Sequence, residues 1–189
     1  MDELLEVLTR LWAGKSVDYD GDHVNLDDAS IGFGAARNPP IYIPTAAFDP
    51  TDGYPKPIRD RLATYGNGWL PIGLSPAEYK IANDGVDAIL TDADRNPESV
   101  DRAYYLDVVV NENEQEALDT AREFYSQYYP AQPERGDDYM RKVGAFGPAA
   151  TVASRLESYA DAGVEHFVVR FTAPDQRRQL SRFVDLAPL

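Results

Sequence analysis

One arginine is the clearest candidate for ligand chemistry in this chain. Arg170 closes the apolar run His166-Phe167-Val168-Val169, so a strand there would carry its guanidinium at a strand end. A planar fork in that position can grip a phosphate or carboxylate through two parallel hydrogen bonds. With 32 Asp and Glu in the chain, a salt bridge to a nearby acid is the favoured competing role. The two histidines promise less. His166 opens the same run and is expected to serve structure, and His23 sits alone beside Asp20 and Asp22. Paired acids at Asp27-Asp28, Asp92 with Asp94, and Asp137-Asp138 lack the spacing of a calcium loop and read as solvated loops. The chain has no cysteine, which removes thiolate nucleophiles, disulfides and cysteine-ligated metals. No metal site is expected.

The elements that would position these residues follow from periodicity. Leu4, Leu5, Leu8, Leu11 and Trp12 recur at helical spacing with Gly14 just beyond, predicting an amphipathic helix. Val17 and Tyr19, then Val24 and Leu26, alternate on either side of Asp20-Gly21, the pattern of an inserted hairpin. From Pro39 onward short apolar runs alternate with longer helical patterns. Strands are expected at Ile41 to Pro44, Gly68 to Ile72, Ala103 to Val110 and His166 to Phe171. Helices are expected at Lys56 to Tyr65, Pro76 to Leu90, Glu112 to Tyr129, Pro148 to Ala162 and Asp175 to Leu186. Pro130 to Gly147 shows no clear period and reads as a long loop. Trp69 is expected to pack in the core, and Phe124, Tyr125, Tyr128 and Tyr129 form a helical stripe expected to pack on a sheet or a neighbouring subunit. Strand and helix alternating in this way predict an α/β fold of parallel crossover units. A complete (β/α)8 barrel needs about 250 residues, so four units in 189 residues predict a partial TIM barrel in one domain, residues 1–189.

Bulk properties narrow the function class. A hydrophobic content of 43% argues for a packed globular chain, and no apolar run is long enough to cross a bilayer. The acidic start Met1-Asp2-Glu3 lacks the basic region of a secretory signal, so a cytoplasmic location is expected. A net charge of −14 repels polyphosphate backbones, so neither nucleic acid nor membrane is expected as a partner. The excess of Asp over Lys also suggests adaptation to high salt, where such repulsion is screened.

The last quarter of the chain carries Gly147-Pro148, Val152-Ala153-Ser154-Arg155-Leu156 and Tyr159-Ala160-Asp161-Ala162-Gly163-Val164-Glu165-His166-Phe167. This run resembles the C-terminal end of the luciferase-like flavin-dependent monooxygenase family. Leu11-Trp12-Ala13-Gly14, Pro39-Pro40-Ile41-Tyr42-Ile43 and Gly66-Asn67-Gly68-Trp69-Leu70-Pro71 are similar to further landmarks of that family, in the same order. The resemblance implies a barrel oxidoreductase or monooxygenase that uses FMN or a deazaflavin on a small-molecule substrate. It also implies that this chain corresponds to the C-terminal half, with the first four strands supplied by a separate N-terminal half. A homo-oligomer covering the exposed faces is the other expected partner. Sites in barrels gather at the C-terminal ends of strands. There the family commonly has a Gly-Gly pair, whose backbone approaches the flavin phosphate. This chain has Pro44-Thr45-Ala46-Ala47, so Thr45, Ala46, Ala47 and Arg170 become the expected cofactor contacts, against a plain loop role for the first three. A non-catalytic half-barrel subunit that has lost flavin binding is the alternative.

Overall fold

The computed structural model describes residues 1–32, 38–46, 48–131 and 135–186. Helix α1 (Asp2–Trp12) precedes an antiparallel hairpin of β1 (Val17–Asp20) and β2 (Asn25–Ala29). The Glu3 carboxylate joins the two, accepting backbone hydrogen bonds from Asp22, His23 and Val24 at 3.1, 3.0 and 2.9 Å. A parallel sheet follows, built from β3 (Tyr42–Thr45), β4 (Gly68–Pro71), β5 (Asp101–Val110), β6 (Ala145–Gly147) and β7 (His166–Phe171). Its connections carry α2 (Lys56–Thr64), α3 (Pro76–Asp92), α4 (Glu114–Tyr128), α5 (Asp137–Val143) and α6 (Ala149–Asp161), and α7 (Gln176–Val184) ends the described chain.

Two expectations are corrected here. The sheet has five parallel strands where periodicity indicated four, and the stretch from Pro130 to Gly147 contains α5 and β6 where a loop was expected. A strand of three residues offers too few positions for an alternating pattern to show.

Local chemistry sets the helix starts. Ser75 and Glu78 form a reciprocal capping box with Pro76 in the first turn of α3, Asn113 caps α4, and Asp175 caps α7.

β5 is the organising strand, and both of its faces are buried. Tyr104, Leu106, Val108 and Val110 face one way, into a core shared with Leu62 of α2, Tyr79, Ala82, Val86 and Leu90 of α3, and Val152 and Tyr159 of α6. Val109 faces the other way, against Ala117, Leu118, Ala121 and Tyr125 of α4 and Met140 of α5. Val108 pairs with both Ala145 and Phe171, so β6 and β7 flank the end of β5 from opposite sides. This arrangement sends α4 and α5 across the sheet face that α2, α3 and α6 leave free. They cover that face only toward the strand ends. Lower on it, Tyr42, Leu70 and Tyr105 are half-buried, and His166 and Val168 are exposed, Val168 by 41%. Among the described residues no helix is long and apolar enough to cross a membrane.

Candidate functional site

Parallel partners in register point to the same face, so Asp107 on β5 and Arg170 on β7 stand side by side beneath α4. The Arg170 fork donates from Nε to Asp107 Oδ1 at 2.6 Å and from Nη2 to Oδ2 at 2.9 Å, and its Nη1 donates to the Tyr129 hydroxyl at 2.9 Å. Tyr125 donates its hydroxyl to the same carboxylate at 2.5 Å. Arg135 adds a longer contact to Asp107, 3.8 Å away, while its guanidinium lies 4.2 Å from the centre of the Tyr125 ring. Tyr105 borders the cluster on the open side, its ring 5.4 Å from the Arg170 guanidinium.

The electrostatics follow from this geometry. Burial alone would lower the Arg170 pKa, but the Asp107 carboxylate outweighs it and holds the guanidinium above its ordinary value. Burial, reinforced by the adjacent carboxylate, pushes the Tyr125 hydroxyl above the usual tyrosine range. Arg170 is therefore charged and Tyr125 a neutral donor across the physiological range. The sequence offered Arg170 as a cofactor contact gripping a phosphate or carboxylate, with a salt bridge to a nearby acid as the favoured competing role, and the structure pairs it with Asp107. Asp107 was not picked out as its partner. The signal was present, because an acid interrupting Leu106 to Val110 must sit on a strand with both faces buried and so needs a buried cation.

The other expected contacts lie at the ends of the strands. Thr45 is buried and turned toward the helices of the first core, where its hydroxyl accepts from Trp69 Nε1 at 3.0 Å. Ala46 is exposed, and Ala47 lies outside the described residues. Arg170 and Thr45 are thus on opposite faces of the sheet. Trp69 packs in the core as expected, its ring centroid 4.7 Å from that of Tyr79.

Among the described residues the buried Thr172 Oγ1 and Tyr54 Oη meet no partner at full hydrogen-bond geometry, although Thr45 and Trp69 stand beside Tyr54. Tyr54 follows the end of β3 and Thr172 follows the end of β7, so both belong to the C-terminal side of the sheet. Burial pushes the Tyr54 hydroxyl up to about 12. α5 roofs the same side. Gly73, just after β4, adopts φ +79°, and a Cβ there would approach the Tyr139 hydroxyl to 3.2 Å. The face next to it has a cleft of about 590 Å³ where α5, β6 and α6 meet, lined in part by Glu114, Arg141 and Arg155. The arginines there are occupied, Arg141 with Glu114 and Arg155 with backbone carbonyls.

Comparison with known proteins fits this arrangement. The chain is 28% identical over 208 residues to an F420-dependent glucose-6-phosphate dehydrogenase of Mycobacterium avium, covering 98% of this chain and 59% of that protein. It is 29% identical over 122 residues to a 5,10-methylenetetrahydromethanopterin reductase of Archaeoglobus fulgidus, covering 65% of this chain and 34% of that protein. Among solved structures, an F420-dependent secondary alcohol dehydrogenase superposes with a TM-score of 0.80 at 18% identity, covering 98% of this chain and 59% of that one. The coenzyme F420-dependent tetrahydromethanopterin reductase of Methanopyrus kandleri superposes with a TM-score of 0.73 at 17% identity, covering 96% and 60%. The chain thus spans at most about three fifths of the length of these proteins. Its α/β architecture of parallel strands and helices is similar to that of TIM-barrel luciferase-like enzymes. Residues 1–166 match the luciferase-like monooxygenase model, most of the chain, and the chain therefore belongs to the luciferase-like monooxygenase family.

Proposed function

We propose that the chain forms the C-terminal strands of a (β/α)8 barrel oxidoreductase that uses a deazaflavin of the F420 type, or FMN, on a small organic substrate, and that it is catalytically incomplete alone. The observation that carries this reading is the sheet face bearing Tyr105, Val168 and the Asp107–Arg170 pair. In a closed barrel of this hand it lines the lumen, yet here its lower part is open to solvent. The sheet also ends on strands with one neighbour each, β3 beside β4 and both β6 and β7 beside β5, edges that further strands would pair. Deazaflavin is preferred over FMN because F420 stands in the names of the relatives matched over nearly the whole chain.

A bound deazaflavin or flavin would supply hydride transfer at its ring. The C-terminal side of the sheet is where such a group would fit, because the buried Thr172 hydroxyl at the end of β7 has no partner among the described residues. Thr45 and Ala46, at the end of β3, would border its phosphate end. Arg170, fixed by Asp107 in a charge-compensated pair, would be a rigid part of the lumen wall and not a mobile phosphate clamp.

Titration with F420, followed by quenching of its fluorescence, tests the proposal. The expected result is saturable quenching by this chain mixed with an N-terminal (β/α)4 portion from a full-length relative, and little by either alone. Absence of quenching in the mixture, with a stable complex seen by sedimentation, overturns it and favours a flavin-free subunit. That second reading rests on Pro44, which offers no backbone N–H where a phosphate would need one.

A further inference from the structure

At the opposite end of the sheet, away from Thr45 and Thr172, Asp101 opens β5 while Glu165 immediately precedes β7 and His166 opens it. One oxygen of each carboxylate and one imidazole nitrogen lie within 4.8 Å of one another. We propose that Asp101, Glu165 and His166 bind a divalent cation of the borderline class, Zn2+ or Mn2+, with water completing its coordination.

Each carboxylate is oriented by a separate donor that leaves its second oxygen free. Tyr42 donates its hydroxyl to Asp101 Oδ2, and the backbone N–H of Arg102 donates to Glu165 Oε2 at 3.1 Å. Metal ligands are commonly aimed by such outer donors. The Tyr42 contact is built into the sheet. Tyr42 on β3 reaches across β4 to Asp101, and it can do so because Gly68 lies between them, where a Cβ would collide with the Tyr42 ring.

The cluster also lacks a cation of its own. Arg102 is the adjacent basic residue in sequence, but its guanidinium turns to the other face, where it binds Asp87, Asn83 and the Val100 carbonyl. Among the described residues neither Asp101 nor Glu165 forms an ion pair. Two carboxylates converging beside an imidazole with no basic partner leave an excess of negative charge that a divalent ion would neutralise. Two hard oxygens and one imidazole nitrogen suit Zn2+ or Mn2+, whereas Ca2+ takes six to eight oxygens. The site sits at the strand starts of a barrel-type sheet, the end associated with stability, so the ion would tie β7 to β5 and not enter the chemistry.

The chain has only two histidines, which gives the test an internal control. The protein is stripped with EDTA, returned to chelator-free buffer and titrated with Zn2+, with the imidazole resonances followed by NMR. Expected are a saturable one-to-one shift of His166 with His23 unmoved, a rise in melting temperature, loss of both in His166→Ala, and retention of both in His23→Gln. Tyr42→Phe should weaken binding by about tenfold. Parallel, non-saturating shifts of both histidines would show only diffuse attraction to an acidic surface and overturn the site. Unchanged affinity in Asp101→Asn would overturn it as well, and Glu165→Gln, with its exposed side chain, serves in place of Asp101→Asn if that variant unfolds.

Discussion

The Asp107 and Arg170 side chains are 6% and 16% exposed, so removing one charge strands the other in a low-dielectric site. Asp107→Ala should therefore cost about 3–5 kcal/mol, measured by urea denaturation. The double replacement Asp107→Leu with Arg170→Met should recover most of that loss, since two apolar groups leave no charge uncompensated. A double variant no more stable than Asp107→Ala would refute this account. Glu3 offers a second test. Backbone hydrogen bonds from His23, and after them Val24 and Asp22, hold its carboxyl below the ordinary 4.5 despite the opposing effect of burial. A depressed folded-state pKa contributes stability that is present above the unfolded value and lost as pH falls through the folded one. Glu3→Gln should thus flatten the acid limb of melting temperature against pH below about 4.5 and change little of its slope near neutrality. At this scale the sequence was half legible. It marked Arg170 as a binder of phosphate or carboxylate with a salt bridge to an acid favoured, but Asp107 stands 63 residues away along the chain, and periodicity carries no information about which residues of two strands become neighbours.

Helix starts were the most legible elements, because a capping motif is local. Ser75 accepts from the Glu78 N–H while Glu78 accepts from the Ser75 N–H. Ser75→Ala should cost about 1 kcal/mol in thermal or urea unfolding, and Ser75→Asp should restore most of it. The four longer parallel strands lie within about two residues of their expected limits, whereas α5 and β6 did not register. Seven helical residues starting Asp137-Asp138, and three strand residues that follow Gly144 and end on Gly147, are too brief to impose a period. They are held by what surrounds them. Met140 and Phe146 pack against Val109 and α4, and Asn111 donates its N–H to the Gly147 carbonyl at 2.9 Å. The aromatic stripe of α4 was expected to pack on a sheet or a neighbouring subunit; Tyr125 is buried and Tyr129 half-buried, with their hydroxyls serving the Asp107–Arg170 pair, whereas Tyr128 is exposed.

At the scale of the molecule, a net charge of −14 leaves self-repulsion that salt screens over a few ångströms. Melting temperature should rise from low to molar NaCl despite weakening of exposed pairs such as Lys56–Asp60, and a fall across that range would show that attractive pairs dominate. The sequence alone determined the α/β class, the crossover rhythm and the family, because each is written in short-range pattern or in the order of motifs along the chain. Tertiary structure alone decided that α4 and α5 cross to the other sheet face, that Arg170 meets Asp107, and that Asp101, Glu165 and His166 converge at the strand starts. Those outcomes depend on strand register and on which edge of β5 each later strand joins. Both are set by burial and pairing between residues tens of positions apart, a kind of information that no local window contains.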